Sequence, residues 1–506
     1  MKDLLLGIDV GTYSSKAVLT LPNGQVLRTE TVQHGISTPR PGYIEQDAES
    51  IWWNDLVLLC RKIFSNSSFS ASDVAAVAVS AIGPCLLPLG SHGEPLRPGI
   101  LYGVDTRAEL EIAELNKELG EEVIFQHSKM ALTSQAIVPK LMWLKKNEPE
   151  IWRRTKSFAS ASSYLVMKLT GINSLDHHTA SHFMPLYDPA NFSWSEKYSE
   201  QLGIPSKMLP KLGWSDELAG EVTVAAAEAT GLALGTPVTV GTVDALSEAI
   251  SVGVCEPGDL MIMYGSTTFF ILVQNSPKPD RTVWTTSGAF AGQYNLAAGM
   301  STTGSLTRWF CDELVRELPL SDAYDQLFST TLKISPGSEG LLVLPYFSGE
   351  RTPINDTKAK GVIAGLGLHH TRDHIFKALL EGVALGIRHN LETFSQIGAD
   401  VKRIVAVGGG ATSEIWPQIV SDVCGKPQIV PAITLGASYG NAFLAGCAVG
   451  ILKHIDIKSW VSIKNTVQPN EKNKALYSSL YLDYINLYGS TQNVIHRLGR
   501  QMEHEN

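Results

Sequence analysis

Residues 4–19, Leu4-Leu-Leu-Gly-Ile-Asp9-Val-Gly-Thr12-Tyr-Ser-Ser-Lys16-Ala-Val-Leu19, run from an apolar stretch through a polar turn into a second apolar stretch. Leu4 to Ile8 predicts a buried strand. Asp9 ends it, Gly11 permits a tight turn, and Lys16 to Thr20 predicts a strand pairing back on the first. The tip offers backbone N–H groups, the hydroxyls of Thr12, Ser14 and Ser15, and the Lys16 ammonium. A phosphate wants several donors at close quarters and a backbone that can approach it, so this inventory suits one. Asp9 would repel a bare phosphate, and beside one it makes sense as the partner of a metal ion or its waters. An ordinary hairpin with a polar turn accounts for the same letters.

A second stretch shifts the balance. Residues 260–273, Leu260-Met-Ile-Met-Tyr-Gly265-Ser-Thr-Thr-Phe-Phe-Ile-Leu-Val273, repeat the order of apolar strand, glycine, hydroxyls from Ser266 to Thr268, and apolar strand. Two such hairpins half a chain apart predict duplicated domains facing one nucleotide phosphate tail from either side. The pairing resembles the actin-like ATPase and sugar-kinase superfamily.

At 506 residues the chain exceeds what one core supports, and two domains of roughly 200–250 residues are expected. Hydrophobic residues at 44% and charged residues at 18% describe an ordinary globular composition. The net charge is −9 and no Lys/Arg stripe stands out, which argues against nucleic acid and anionic membrane as partners. No apolar run reaches the roughly 18 residues of a spanning helix. Met1-Lys2-Asp3 leads straight into a strand, leaving no room for a signal peptide, so a cytoplasmic location is expected. Cys60, Cys85, Cys255, Cys311, Cys424 and Cys447 are scattered without a Cys-x-x-Cys, as suits a reducing compartment. His177-His178 with His182, and His369-His370 with His374, have zinc-like spacing but no identifiable further ligand, and read as surface or hydrogen-bonded histidines.

Further along, Tyr43-Ile-Glu-Gln-Asp47 leads into a helix from Ala48 to Phe64, and Asp73 to Ser80 predicts a buried strand. Helices are expected over 139–150, from Ser160 to Thr170, and from Ile375 to Phe394. Pro237 to Asp244 reads as a strand stopping at an acid, followed by a helix from Ala245 to Ser251. Gly408-Gly-Gly-Ala-Thr-Ser-Glu-Ile-Trp416 is a glycine turn opening a helix, and Gly436 to Gly446 is a small-residue helix able to pack tightly. The expected division is an N-terminal domain over 1–248, a C-terminal domain over 249–455, and a polar, helical tail over 456–506.

Four stretches together resemble the FGGY family of carbohydrate kinases: Gly7-Ile-Asp-Val-Gly-Thr12, Gly241-Thr-Val-Asp244, Gly349-Glu-Arg-Thr-Pro353 with Asp356 and Gly361, and Gly408-Gly-Gly-Ala411 with Trp416. The resemblance spans about residues 1–450 and is nearest the xylulokinase branch, through Gly349 to Pro353 and Pro139-Lys-Leu-Met-Trp143. It implies an α/β fold of two ribonuclease-H-like domains around a central cleft that closes on ATP and sugar. It also implies a catalytic base at Asp244, a carboxylate able to accept the proton of an attacking sugar hydroxyl. Asp9 takes the family's Mg2+ position. Thr12, Ser14 and Lys16, with Gly265, Ser266 and Thr267, take the phosphate positions. Gly304 and Arg308 fall beside the nucleotide, and Gly410 and Ala411 line the adenosine pocket with Glu414 one turn on. Phosphoryl transfer asks for little beyond positioning and charge neutralisation, which these groups would supply.

The departures fall on the sugar side. Xylulokinases carry Met-His where this chain has Gly83-Pro84, and often Asn where it has Ala245. Gln135 opens the first signature, and Tyr102-Gly-Val-Asp105-Thr-Arg107 partly keeps a Trp-x-Asp-x-Arg pattern, so Gly83, Pro84, Asp105 and Gln135 with Asp244 are the expected sugar contacts. Losing side-chain donors in a polyol site shifts specificity, because unpaired hydroxyls in a closed cleft are costly. The expected activity is an ATP-dependent kinase for a ketose or polyol, with D-xylulose to D-xylulose 5-phosphate as the nearest assignment. Another pentulose, a hexulose, an aldonate or a tetritol remain alternatives, as does a catalytically silent regulator. Dimerisation is common in the family, which makes a homodimer an expectation by resemblance.

Overall fold

The computed structural model describes residues 3–65 and 68–503. Two seven-stranded sheets form its frame. The first uses β1 (Leu4–Val10), β2 (Ser14–Thr20), β3 (Val26–Gln33), β4 (Val74–Ala81), β5 (Leu218–Glu221), β6 (Pro237–Thr239) and β7 (Thr242–Val243). Its order is β5-β6-β4-β1-β2-β3, with β7 also pairing β4. β1 to β3 are antiparallel neighbours, whereas β4 runs parallel to β1 and β6 parallel to β4. Helix α1 (Asn54–Phe64) covers one face. Between β4 and β5 the chain builds a satellite core of short elements that includes α2 (Ile137–Asn147). Helix α3 (Asp244–Ser251) follows β7.

The second sheet repeats this grammar. It comprises β8 (Asp259–Tyr264), β9 (Thr268–Gln274), β10 (Trp284–Ser287), β11 (Tyr294–Met300), β12 (Arg403–Val407), β13 (Gln428–Pro431) and β14 (Ile463–Val467), in the order β10-β11-β9-β8-β12-β13-β14. Again a three-stranded antiparallel unit comes first, and β12 then adds parallel to β8. Helices α4 (Gly304–Leu314), α5 (Arg372–Gln396), α6 (Ile415–Cys424), α7 (Ala437–Ala448) and α8 (Lys474–Glu503) belong to this half of the chain. The segment expected as a polar tail contributes strand β14 and helix α8, whose Tyr477 and Tyr484 are buried in the second core.

Strand periodicity explains how the halves join. Leu4, Leu6, Ile8 and Val10 point to the face under α1, and Leu5 points to the opposite face, where α7 lies. Gly7 shares that second face, and a Cβ there would stand 1.9 Å from the Ser438 carbonyl oxygen. Gly440 does the same for α3: a Cβ would meet the Ser247 carbonyl oxygen at 2.0 Å. The small-residue helix α7 is therefore a wedge between the first sheet and α3, although in sequence it lies between β13 and β14 of the second sheet.

His177, His178 and His182 are buried rather than on the surface, and His178 Nδ1 pairs with the Ser287 carbonyl oxygen at 2.9 Å. His374 caps α5 at Thr371. None of the described helices is long and apolar enough to cross a membrane.

Candidate active site

The strand ends β1, β4 and β7 deliver Asp9, Ser80 and Asp244 to one edge of the first sheet, because β4 runs parallel to both neighbours. Asp244 opens α3, with Oδ1 accepting from its own helix's Ala245 N–H at 2.7 Å. One turn on, Glu248 shares its helix face, and its carboxylate accepts from the Ala437 N–H at the start of α7. Burial, then the charges of Asp9 and Glu248, push Asp244 up to about 8. Burial pushes Asp9 up to about 6 against the Ser80 hydrogen bond and Lys16, and Glu248 up to about 7. Three carboxylates thus crowd one edge, with the Lys16 cation near Asp9 and Glu248. Sequence reading missed Glu248, although its i, i+4 spacing from Asp244 on an expected helix was the available signal.

The first hairpin stands over this edge. Thr12 and Ser14 are half-buried, and the Thr12 side chain bonds the Tyr102 hydroxyl. Burial and then Asp244 push the Tyr102 hydroxyl pKa up, so the hydroxyl that bonds Thr12 also lies near the candidate base. Lys16 lies alongside, its ammonium donating to the Leu435 carbonyl at 3.2 Å. At the second hairpin Ser266 and Thr267 are exposed, and Gly265 N–H donates to the Thr267 carbonyl at 3.0 Å. Gly304 seats α4 against it: its N–H donates to the Gly265 carbonyl at 3.0 Å, and a Cβ would stand 2.6 Å from that oxygen.

Gly408 adopts φ +88° against the Tyr264 carbonyl, Gly410 packs on Trp416 and Tyr264, and Ala411 is buried beside them. Glu414 is exposed ahead of α6, and Arg308 is exposed on α4, its Nε donating to Asp312 at 2.7 Å.

On the sugar side, Gly83 is half-buried beside β7, where a Cβ would meet Val243 Cγ1 at 2.6 Å, and Pro84 is buried. Gln135 accepts from the Gly103 N–H through Oε1 at 3.0 Å, which leaves its amide N–H groups for a ligand. Asp105 does not offer an open oxygen. It is fully buried, accepting from the Ile44 N–H at 2.6 Å and from Arg107 Nη2 at 2.7 Å, and it anchors the loop that carries Tyr102. Buried Lys140 on α2 holds the same loop by donating to the Leu101 and Tyr102 carbonyls at 2.7 and 2.8 Å. Burial pulls its ammonium down to about 8.

Arg351, in the Gly349 to Pro353 stretch, is the unforeseen cation. Its Nη2 donates to the Met300 carbonyl at 2.9 Å, and Met300 pairs with Thr268 at the base of the second hairpin. Its charge bears on Tyr102 across the cleft, and its Nε and Nη1 make no hydrogen bond among the described residues. Glu350 beside it is buried and accepts from the Ser301 N–H at 2.6 Å.

Among the described residues no cluster of His, Cys, Asp or Glu is arranged to hold a metal ion by itself. The excess of carboxylates at Asp9, Asp244 and Glu248 nonetheless fits a divalent cation ligated mainly by phosphates and water, as Mg2+ commonly is.

Comparisons with known proteins agree along the chain. Residues 4–251 match the family model for the N-terminal domain of the FGGY family of carbohydrate kinases, and residues 260–449 that for its C-terminal domain. A xylulose kinase of Lactococcus lactis is 28% identical over 98% of this chain and 98% of its own. A gluconokinase of Bacillus subtilis is 25% identical over 96% of both. The crystal structure of a xylulose kinase from Rhodospirillum rubrum superposes with a TM-score of 0.90 at 29% identity, covering 97% of this chain and 100% of that one.

Proposed function

Because this chain belongs to the FGGY family of carbohydrate kinases, phosphotransferases that use ATP and an alcohol acceptor, we propose that it phosphorylates a hydroxyl of a ketose or polyol, D-xylulose first among them. The observation that supports the reading is Asp244 at the end of β7, buried beside Asp9 and Glu248 and near the Tyr102 hydroxyl that bonds Thr12 of the first hairpin.

In the proposed reaction the sugar hydroxyl lies between Asp244 and the γ-phosphorus of ATP. Its oxygen forms a bond to phosphorus, the bond to the β–γ bridging oxygen breaks with its electron pair leaving on ADP, and the hydroxyl proton passes to Asp244. The hairpin N–H groups and hydroxyls hold the phosphates, and Arg351 meets the charge spread over the transferring group. Mg2+, when bound beside Asp9, would neutralise phosphate charge. Gly408 to Ala411 with Trp416 seat the adenosine. Gln135 orients a sugar hydroxyl, and Lys140 and Asp105 hold the loop from which Tyr102 reaches the site.

The gluconokinase relative favours an aldonate as the second reading. ADP release from Mg-ATP against a panel of pentuloses, hexuloses, polyols and aldonates tests both, with Asp244→Ala as control. Turnover on one compound that vanishes in the variant identifies the substrate. Near-normal turnover in the variant would overturn the role of Asp244.

A further inference from the structure

The first hairpin is held from behind by two buried side chains that nothing above assigns. His34 Nε2 meets the Gly11 carbonyl at 3.0 Å, and Gln46 Nε2 donates to the Thr12 carbonyl at 2.9 Å. The His34 backbone N–H takes the next carbonyl, that of Tyr13, at 3.0 Å. Successive carbonyls thus face one side. A trans peptide opposes its C=O and N–H, so the N–H groups of Thr12 and Tyr13 face the other, open side. Neither has a partner among the described residues. Successive N–H groups on one side make a concavity for an anion.

Both side chains are themselves fixed. His34 Nδ1 lies 2.7 Å from Asp55 Oδ2, which also accepts from Ser15 Oγ at 2.8 Å. Both ring nitrogens therefore face acceptors, and because a carbonyl oxygen cannot donate, the Nε2 that meets Gly11 carries a proton. Burial opposes a charge on the ring, yet the Asp55 and Gly11 bonds outweigh it and raise the ring's pKa above the ordinary histidine value. Asp9 and Lys16 are the other charges nearby. Gln46 accepts from buried Trp52 Nε1 at 2.8 Å, which orients its amide so that nitrogen faces Thr12.

The second hairpin is built the same way, mainly from backbone, with the Ser305 hydroxyl adding a bond to the Ser266 carbonyl at 2.8 Å. Gly304 N–H takes the Gly265 carbonyl, and the N–H groups of Thr303 and Ser305 take that of Ser266, each at 3.0 Å. The N–H groups of Ser266 and Thr267 are left unpartnered among the described residues.

We propose that His34 and Gln46 are positioning residues for phosphoryl transfer, pinning the Gly11 and Thr12 carbonyls so that the N–H groups of Thr12 and Tyr13 are presented to the terminal phosphate of the nucleotide. This rests on the kinase reading above. The second hairpin has its Gly265 and Ser266 carbonyls taken from behind as well, by different donors, the N–H groups of Thr303, Gly304 and Ser305.

The test compares His34→Asn, which keeps an amide near Asp55 but cannot reach Gly11, with His34→Gln, whose longer amide can. Gln46→Met, of similar size and without a donor, is the second variant. Steady-state kinetics, calorimetric binding of the magnesium complexes of ADP and a non-hydrolysable ATP analogue, and thermal melting are read for each. The expected result is a fall in kcat of about a hundredfold in His34→Asn and Gln46→Met, as small misplacements of catalytic groups produce. Sugar KM and ADP affinity stay within about twofold, triphosphate affinity falls, and His34→Gln recovers most of both losses. Wild-type kcat and triphosphate affinity in His34→Asn and Gln46→Met would overturn the proposal, as would losses that track melting temperature and are not recovered by Gln. If the wild-type chain phosphorylates nothing in the panel but His34→Asn still selectively loses triphosphate affinity, the clamp stands and the kinase reading falls.

Discussion

Ser80 Oγ donates to Asp9 Oδ1 at 2.6 Å and accepts from Asn441 Nδ2 at 2.7 Å. Asn441 also donates to the Ile8 carbonyl at 2.7 Å and accepts from Ser247 Oγ at 2.6 Å. A relay thus runs from α3, the helix of Asp244 and Glu248, through α7 to Asp9. It ties the orientation of the expected cation-side carboxylate to the helix that carries the base. Ser80→Ala removes the bond to Asp9 and leaves an Asn441 proton unpaired. Because partners of ligating carboxylates are worth about 10–100-fold in metal affinity, the Mg2+ concentration for half-maximal activity should rise by about tenfold. A magnesium titration at saturating ATP and sugar reads it, and an unchanged midpoint would refute the relay.

Asp244 is pushed up to about 8 by burial, Asp9 and Glu248. A general base works deprotonated, so kcat/KM should fall as pH drops below that value, approaching about tenfold per unit. A kcat/KM profile flat from pH 8 to 5 would contradict the assignment.

The same carboxylates set a stability trend. Asp9, Asp244 and Glu248 have folded pKa values above their unfolded ones. Between the ordinary carboxylate range and pH 8 the native chain therefore binds more protons than the unfolded chain, and their contribution is lost as pH rises through the folded values. Asp244→Asn should raise the melting temperature of the nucleotide-free protein, and by clearly more at pH 8 than at pH 5, where only part of the penalty has accrued. Equal shifts at both pH values would contradict this.

Arg351→Gln should lower kcat by about a hundredfold or more, the scale of lost preorganised charge at a transferring group. Melting should change little, because the Arg351 side chain makes one hydrogen bond among the described residues, from Nη2 to the Met300 carbonyl at the end of β11. Intact kcat in a folded variant would remove Arg351 from the reaction.

Gly440→Ala places a Cβ 2.0 Å from the Ser247 carbonyl oxygen, a backbone atom that cannot swing aside. Overpacking of this kind costs about 1–3 kcal/mol or more, and a large fall in melting temperature is expected. Gly489→Ala on α8 meets nothing within 4 Å and should instead stabilise, by up to about 1 kcal/mol of helix propensity. The pair separates close packing from a general intolerance of glycine replacement.

Much of the frame was legible in one dimension, because strands announce themselves through neighbours in sequence. The apolar runs around Gly11 and Gly265 each became an antiparallel pair, and the acid closing Gly241-Thr-Val-Asp244 stands at the sheet edge where a parallel strand must end. The residues sequence reading passed over are those whose partners are remote along the chain, 51 positions away for Arg351 and more than 300 for Asn441. Asn441 reaches Ile8 and Ser80, Arg351 reaches Met300, and Lys16, expected on a phosphate, reaches Leu435. Asp105 shows the converse: its letter suggested a ligand, and burial with Arg107 made it an anchor.

Local sequence determined the two hairpins, their polar tips and the positions of Asp9 and Asp244, since strand, turn and cap preferences act over a few residues. The tertiary structure alone decided which carbonyls are pinned behind Thr12, which carboxylates share one edge, and that α7 wedges against Gly7. Those outcomes depend on distance through space, where burial raises a pKa and a Cβ either fits or collides, and no spacing along the chain encodes them.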